Sequence, residues 1–228
     1  MNSEHFDLNA RRALVYGADL PAGRAIADIY EEAGAKVVRL SQMPAAEVKA
    51  AVAEAAAALG AVDILAAAPD FFLARPVLDV TVDDLAEVMM ANFAAQYFAI
   101  QGVLPVMRKA QAGHIVLVTS VLGERGLPNT SAYSAAHGAV FNLIRALSQE
   151  LAPEHISING IELGWMDWMS DRIDPGDEEA ARAVRFAMLK RPGRAEDVGP
   201  LALWLSGSGA GFVTGQVFPL DGGLTQHL

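Results

Sequence analysis

Three side chains in one stretch, Ser120, Tyr133 and His137, have the types and the spacing to pass a proton among themselves and a substrate. The apolar run His114-Ile-Val-Leu-Val-Thr119 reads as a buried parallel strand that ends just before Ser120. A loop with Gly123, Gly126 and Pro128 follows, and Ser131 is placed to cap a long helix. Tyr133 and His137 are four apart on that helix, so they share one face. A hydroxyl at a strand's carboxyl end, set against a phenol and an imidazole one turn apart, suits general acid–base chemistry.

The elements that must hold these groups alternate along the chain. Ala13–Tyr16 is a short apolar strand; a loop from Gly17 to Gly23 leads into a helix through Gly34, and Lys36–Leu40 is the next strand. This is the β-loop-α-β opening of a dinucleotide fold. Helix 45–59 and strand 62–68 come next. Only 22 residues separate Leu40 from Asp63, room for a single crossover. The pattern then predicts a helix over 82–109, the strand at 114–119, a helix from about 131 to 152 and a strand at 156–161. A charged helix over 177–185, a helix from the Arg191–Asp197 lead-in to about Leu205, and a strand within 214–223 close the chain. Such alternation gives a doubly wound parallel sheet, α/β in class, with residues 1–228 as one domain.

Composition narrows the function classes. With 53% hydrophobic residues the chain can bury a large core, and a net charge of -10 argues against nucleic acid or an anionic membrane as partner. There is no cysteine, so disulfides and thiolate chemistry are excluded. The five histidines show no metal-ligand spacing, and no metal site is expected. The start of the chain carries Glu4, Asp7, Arg11 and Arg12 and does not read as a secretory signal. A cytoplasmic location is the expectation.

The spacing Ser120, Tyr133 thirteen residues on, and a third residue four later resembles the active site of the short-chain dehydrogenase/reductase (SDR) family, which has Lys where this chain has His137. Asn92 matches the family's mid-helix active-site Asn; Arg191-Pro-Gly and Thr214-Gly-Gln…Asp221-Gly-Gly match its closing segments. The resemblance implies a Rossmann-like SDR fold, here lacking one edge strand and its helix, and an NAD or NADP cofactor on the turn between Gly17 and Gly23.

Several positions depart from the family pattern. Pro21 stands at the middle glycine of the turn, removing an N–H donor. Asp19 lies in the same loop, and Asp70 replaces the glycine after the strand at 62–68; in Leu163-Gly164-Trp-Met-Asp-Trp168 the indole of Trp168 stands where the family has a cofactor-binding Thr, and Glu162 comes just before that stretch. Arg39 could favour NADP but reads equally as a solvated edge-strand side chain. A neutral His137 would acidify the phenol poorly compared with lysine. Together these imply a crevice made acidic and plugged, with Pro21, Asp70 and Trp168 opposing dinucleotide binding and no cofactor held by this chain.

The leading expectation is therefore a cofactor-deficient SDR subunit. It would support an active SDR partner, in a hetero-oligomer such as a heterotetramer, in NAD-dependent oxidation of an alcohol or hydroxyacyl substrate. The alternative is a working NAD(P)-dependent oxidoreductase in which Tyr133 is the acid/base, Ser120 holds the substrate oxygen and Asn92 holds a relay water. A third reading is non-redox chemistry resembling that of halohydrin dehalogenases, which an acid at Asp70 would oppose.

Overall fold

The computed structural model describes residues 3–172 and 185–226. Six parallel strands form one sheet in the order β2-β1-β3-β4-β5-β6. They are β1 (Arg12–Tyr16), β2 (Lys36–Leu40), β3 (Ile64–Ala67), β4 (Gly113–Ser120), β5 (Ile156–Leu163) and β6 (Val217–Leu220). The chain starts in β1, steps outward to β2, then crosses back over β1 to β3. A crevice at the carboxyl ends of β1 and β3, where the direction reverses, is the usual ligand site of such sheets. The single crossover between β2 and β3 is helix α2 (Ala45–Leu59), which leaves β2 at the edge as the residue count required.

Strict alternation along the central strands feeds two cores. Ala13, Val15, Ile64, Ala66, Val116 and Val118 face one side, where α1 (Pro21–Glu32) and the late helix Ala195–Ser206 supply Ile26, Tyr30, Val198 and Leu205. Leu14, Tyr16, Leu65, Ala67, Ile115 and Leu117 face the other, against Val48 and Val52 of α2 and the helices that follow. Both faces are covered, which is why these strands read as unbroken apolar runs.

The helix expected over 82–109 is broken. It is α3 (Val82–Met89), a π-turn at Met90–Ala94 and α4 (Ala95–Ala110). Asn92 sits in the π-turn, a distortion that recurs at functional sites. A short α5 (Leu122–Arg125) occupies the loop after β4, and α6 (Ser131–Leu151) follows. Ser131 is not the cap but the first helical residue; Thr130 is the cap, its hydroxyl donating to Leu127 O at 2.9 Å and pairing with Ser134 Oγ at 3.0 Å. Helix Ala195–Ser206 is α7 here. The charged helix expected over 177–185 lies almost wholly outside the described residues. Among the described residues, no helix is long and apolar enough to cross a membrane.

The amino ends of β1 and β3 are tied by Asp63, which accepts Arg12 N at 2.8 Å and Arg12 Nε at 3.0 Å. Burial pushes the Asp63 carboxyl up, but those hydrogen bonds and the charges of Arg12 and Arg11 outweigh it and hold it below its usual value. Its contribution is therefore present above the unfolded value of 3.8 and is lost as pH falls through the lower folded value. Asp63→Asn should cost about 1–2 kcal/mol in urea unfolding at pH 7, and the gap to wild type should narrow in acid.

Candidate active site at the switch point

The carboxyl ends of the central strands floor a crevice of about 60 Å³. Its walls come from the start of α1 (Leu20, Pro21, Ala22), the loop after β3 (Asp70), the end of β4 (Ser120), the first turns of α6 (Tyr133, His137) and the turn after β5 (Trp168, Met169, Arg172). The structure thus brings Ser120, Tyr133 and His137 together, as their spacing predicted. Trp168 lines the same crevice.

Each group is held in a defined way. Ser120 Oγ accepts the N–H of Leu122 at 3.2 Å, a contact that fixes the hydroxyl where β4 ends. Tyr133 is buried, its hydroxyl donates to Asp70 Oδ1 at 2.9 Å, and the Phe72 ring packs edge-on at 5.1 Å. Burial pushes the phenol well above its usual pKa; the Asp70 carboxylate adds to this and the Arg172 guanidinium opposes it. Tyr133 is therefore a protonated donor at neutral pH.

His137 pairs through Nδ1 with Thr119 Oγ1 at 3.1 Å, and its ring lies 4.3 Å from that of Tyr133. Its Nε2 is buried without a hydrogen-bond partner among the described residues. Burial lowers its pKa to about 4, with Asp70 opposing the shift. It is therefore a neutral imidazole, and it does not supply the positive charge of a lysine. The sign of the linkage follows: an unfolded His137 takes up its proton near 6.5, the folded one only near 4. Stability is full above 6.5 and declines as pH falls towards 4, by roughly 3 kcal/mol from this group. In His137→Gln that part of the acid dependence should vanish when denaturant unfolding is compared at pH 7.5 and pH 4.5.

Asn92 is placed differently from the expectation. Its Oδ1 accepts Phe71 N at 2.8 Å, and its Nδ2 donates to Phe71 O at 2.9 Å and Val88 O at 3.0 Å. The amide clamps the loop that carries Asp70 and Phe72, and it is not among the crevice-lining side chains. Sequence reasoning missed Arg172. It donates to Asp70 Oδ2, and its guanidinium lies over the Phe72 ring at 5.2 Å. The one signal for it was an acid at Asp70 that needed a counter-ion.

The structure also corrects the acidic crevice. Asp19 is turned outward, its Oδ1 accepting the N–H of Gln42 at 2.7 Å. Asp70 is ion-paired with Arg172. Glu162 is buried and its carboxyl is raised to about 7, first by burial and then by the charges of Glu124 and Asp221 against that of Arg125. Among the described residues no side chain caps α1, and its first turn holds no acid. Pro21 opens the helix, where its missing N–H is no loss. The leading N–H groups of α1 and its dipole are thus available to an anion. Gly17 has φ +78°, and its main chain lies so close to β3 that a Cβ would meet Ala68 O at 2.7 Å. The turn therefore fits a pyrophosphate. The space beside Tyr133, about 60 Å³, is smaller than the roughly 300 Å³ where ligand pockets begin. Arg39 is held by Glu31 and Asp28 at 2.7–3.1 Å and is not a free cation for a 2′-phosphate.

Comparison with known proteins agrees with this geometry. A family model described as "Enoyl-(Acyl carrier protein) reductase" matches residues 7–225. L-2,3-butanediol dehydrogenase of Corynebacterium glutamicum is 32% identical, covering 76% of this chain and 72% of its own. 3-Oxoacyl-[acyl-carrier-protein] reductase FabG of Chlamydia muridarum is 27% identical over 92% of this chain and 86% of its own. A gluconate 5-dehydrogenase from Burkholderia cenocepacia, solved with NADP and tartrate, superimposes with a TM-score of 0.93 at 25% identity over 100% of both chains. A structure from Beutenbergia cavernae, assigned as an NAD(P) dependent gluconate 5-dehydrogenase and holding NADP, superimposes with a TM-score of 0.88 at 31% identity, over 97% of this chain and 99% of that one. The expectation of no cofactor is overturned by these NADP-bound neighbours. Its error was to count Asp19, Asp70 and Glu162 as bare charges facing the phosphates. A parallel sheet with its reversal between β1 and β3, a Ser–Tyr pair at that reversal, and a family match over nearly all its length place this chain in the short-chain dehydrogenase/reductase family.

Proposed function

We propose that the chain is an NAD(P)-dependent oxidoreductase that interconverts an alcohol and its carbonyl compound. The observation that carries this reading is Ser120 and Tyr133 facing one crevice that also contains the uncapped start of α1. The N–H groups of Ala22 and Gly23, in the first turn of α1, would hold the cofactor's pyrophosphate. The dinucleotide, when bound, supplies the hydride acceptor or donor. Ser120 would hold the substrate oxygen and Tyr133 would exchange a proton with it. Nothing in the comparisons favours the supporting-subunit reading, since the relatives named above are described as a reductase and a dehydrogenase.

Assembly with further SDR subunits is part of this proposal. It is supported by exposed apolar side chains along α3, the π-turn and α4 (Val82, Leu85, Met90, Tyr97) and by the fully exposed Phe212 ahead of β6. Light scattering of the purified chain reads the subunit number directly. Activity is tested by following reduced-nicotinamide absorbance with both dinucleotides against secondary alcohols, hydroxy acids and 3-oxoacyl thioesters. Saturable turnover is expected with at least one class. Inertness across all of them in both directions would contradict the reading.

A further inference from the structure

The phenol oxygen of Tyr133 has a partner that the family pattern does not provide. Its proton points at Asp70 Oδ1, 2.9 Å away, while Arg172 holds the carboxylate's other oxygen. The three side chains come from α6, the loop after β3 and the turn after β5. Asn92 clamps the Asp70 loop through Phe71, and the Phe72 ring packs against both Tyr133 and Arg172. His137, at the lysine position, has its Nδ1 on Thr119 and contacts Tyr133 through its ring rather than by a hydrogen bond to the phenol. Among the described residues, the charged groups acting on the phenol are Asp70 and Arg172, and His137 beside it is neutral. Asp70 and Arg172 are 22% and 19% exposed, enough for a proton on the carboxylate to reach solvent.

We propose that Asp70 is a further catalytic residue, the acceptor of the Tyr133 proton, and that Arg172 is its positioning residue. This rests on the oxidoreductase reading above. In the oxidation direction the substrate O–H bond breaks and its proton bonds to Tyr133 Oη, while the phenol's own proton passes to Asp70 Oδ1. The substrate C–H bond breaks with its electron pair going to an oxidised nicotinamide dinucleotide, and the C=O bond forms. Asp70 then releases the proton to water. Reduction runs the same transfers backwards. Tyr133 thus never stands as a free phenolate, which its buried setting beside a carboxylate disfavours. The acid in the place of the family's glycine gives the proton a carboxylate to leave by, and Arg172, not His137 at the lysine position, is the cation that acts on the phenol among the described residues.

Asp70→Asn separates this arrangement from one in which Tyr133 acts as a phenolate base. Losing the neighbouring negative charge makes the phenol easier to ionise, so a phenolate mechanism gains alcohol-oxidation rate at neutral pH. The relay loses its acceptor, and kcat should fall by about 100-fold with dinucleotide binding retained. Asp70→Glu should recover part of kcat, and Arg172→Gln should lower kcat more than it changes KM. Independently of turnover, carbon-13 at tyrosine Cζ, assigned with Tyr133→Phe, should show the Tyr133 titration moving down by about one pH unit or more in Asp70→Asn. An unmoved titration, or an Asp70→Asn enzyme as fast as wild type, would overturn the proposal while leaving the oxidoreductase reading intact. A wild-type chain that binds the dinucleotide yet turns over nothing would instead defeat that reading, and the relay with it.

Discussion

Tyr133→Phe should reduce kcat/KM for alcohol oxidation and carbonyl reduction by about 10²- to 10⁴-fold while leaving the fold in place. The substitution removes one atom, the hydroxyl oxygen that donates to Asp70. The ring keeps its edge contact with Phe72 and its packing on His137, and Asp70 keeps its ion pair with Arg172. The thermal midpoint should therefore change little, and nicotinamide binding should survive. Steady-state kinetics beside a thermal melt check both halves. A variant that keeps more than a tenth of the wild-type rate would mean that the proton is exchanged with another group.

Gly23→Ala should damage stability and cofactor binding together. A Cβ at this position would stand 2.1 Å from Gly17 O and 2.7 Å from Gly17 C, both main-chain atoms with no rotamer to escape into. The turn or the start of α1 has to shift to admit it. Forced packing of this kind costs about 1–3 kcal/mol, or a fall in thermal midpoint of about 2–12 °C for a domain of this size. The displaced part is the one whose N–H groups face the pyrophosphate site, so affinity for either dinucleotide should drop at least tenfold. Thermal unfolding and a binding titration on the same preparation test this. An unchanged midpoint would show that the turn is looser than its geometry implies.

The sheet was legible because its strands are buried on both faces and so stand out as apolar runs, from Leu14 through Ile158. Counting residues between Leu40 and Asp63 was enough to remove one crossover and leave β2 at the edge. The π-turn at Met90–Ala94 was not legible, since one wider turn barely disturbs a helical hydrophobic pattern; what fixes it is Asn92 reaching across to Phe71. Ser120, Tyr133 and His137 were found because strand end and helix start are close in sequence. The Asp70–Arg172 pair joins positions 102 residues apart with no period to link them. The same blindness to direction produced the error over the cofactor. Sequence supplies the acids Asp19 and Glu162, but only the structure shows one turned to Gln42 N and the other buried with its carboxyl raised to about 7.

The account stands on a nicotinamide dinucleotide lying from the turn at Gly17 to the phenol of Tyr133. Titrating the purified chain into NADPH and NADH, and following nicotinamide fluorescence, tests this most directly. Saturable binding of at least one of them at micromolar concentrations, about 8 kcal/mol in free energy and weakened by Gly23→Ala, is the predicted result. No saturation by either dinucleotide up to millimolar concentrations would contradict it.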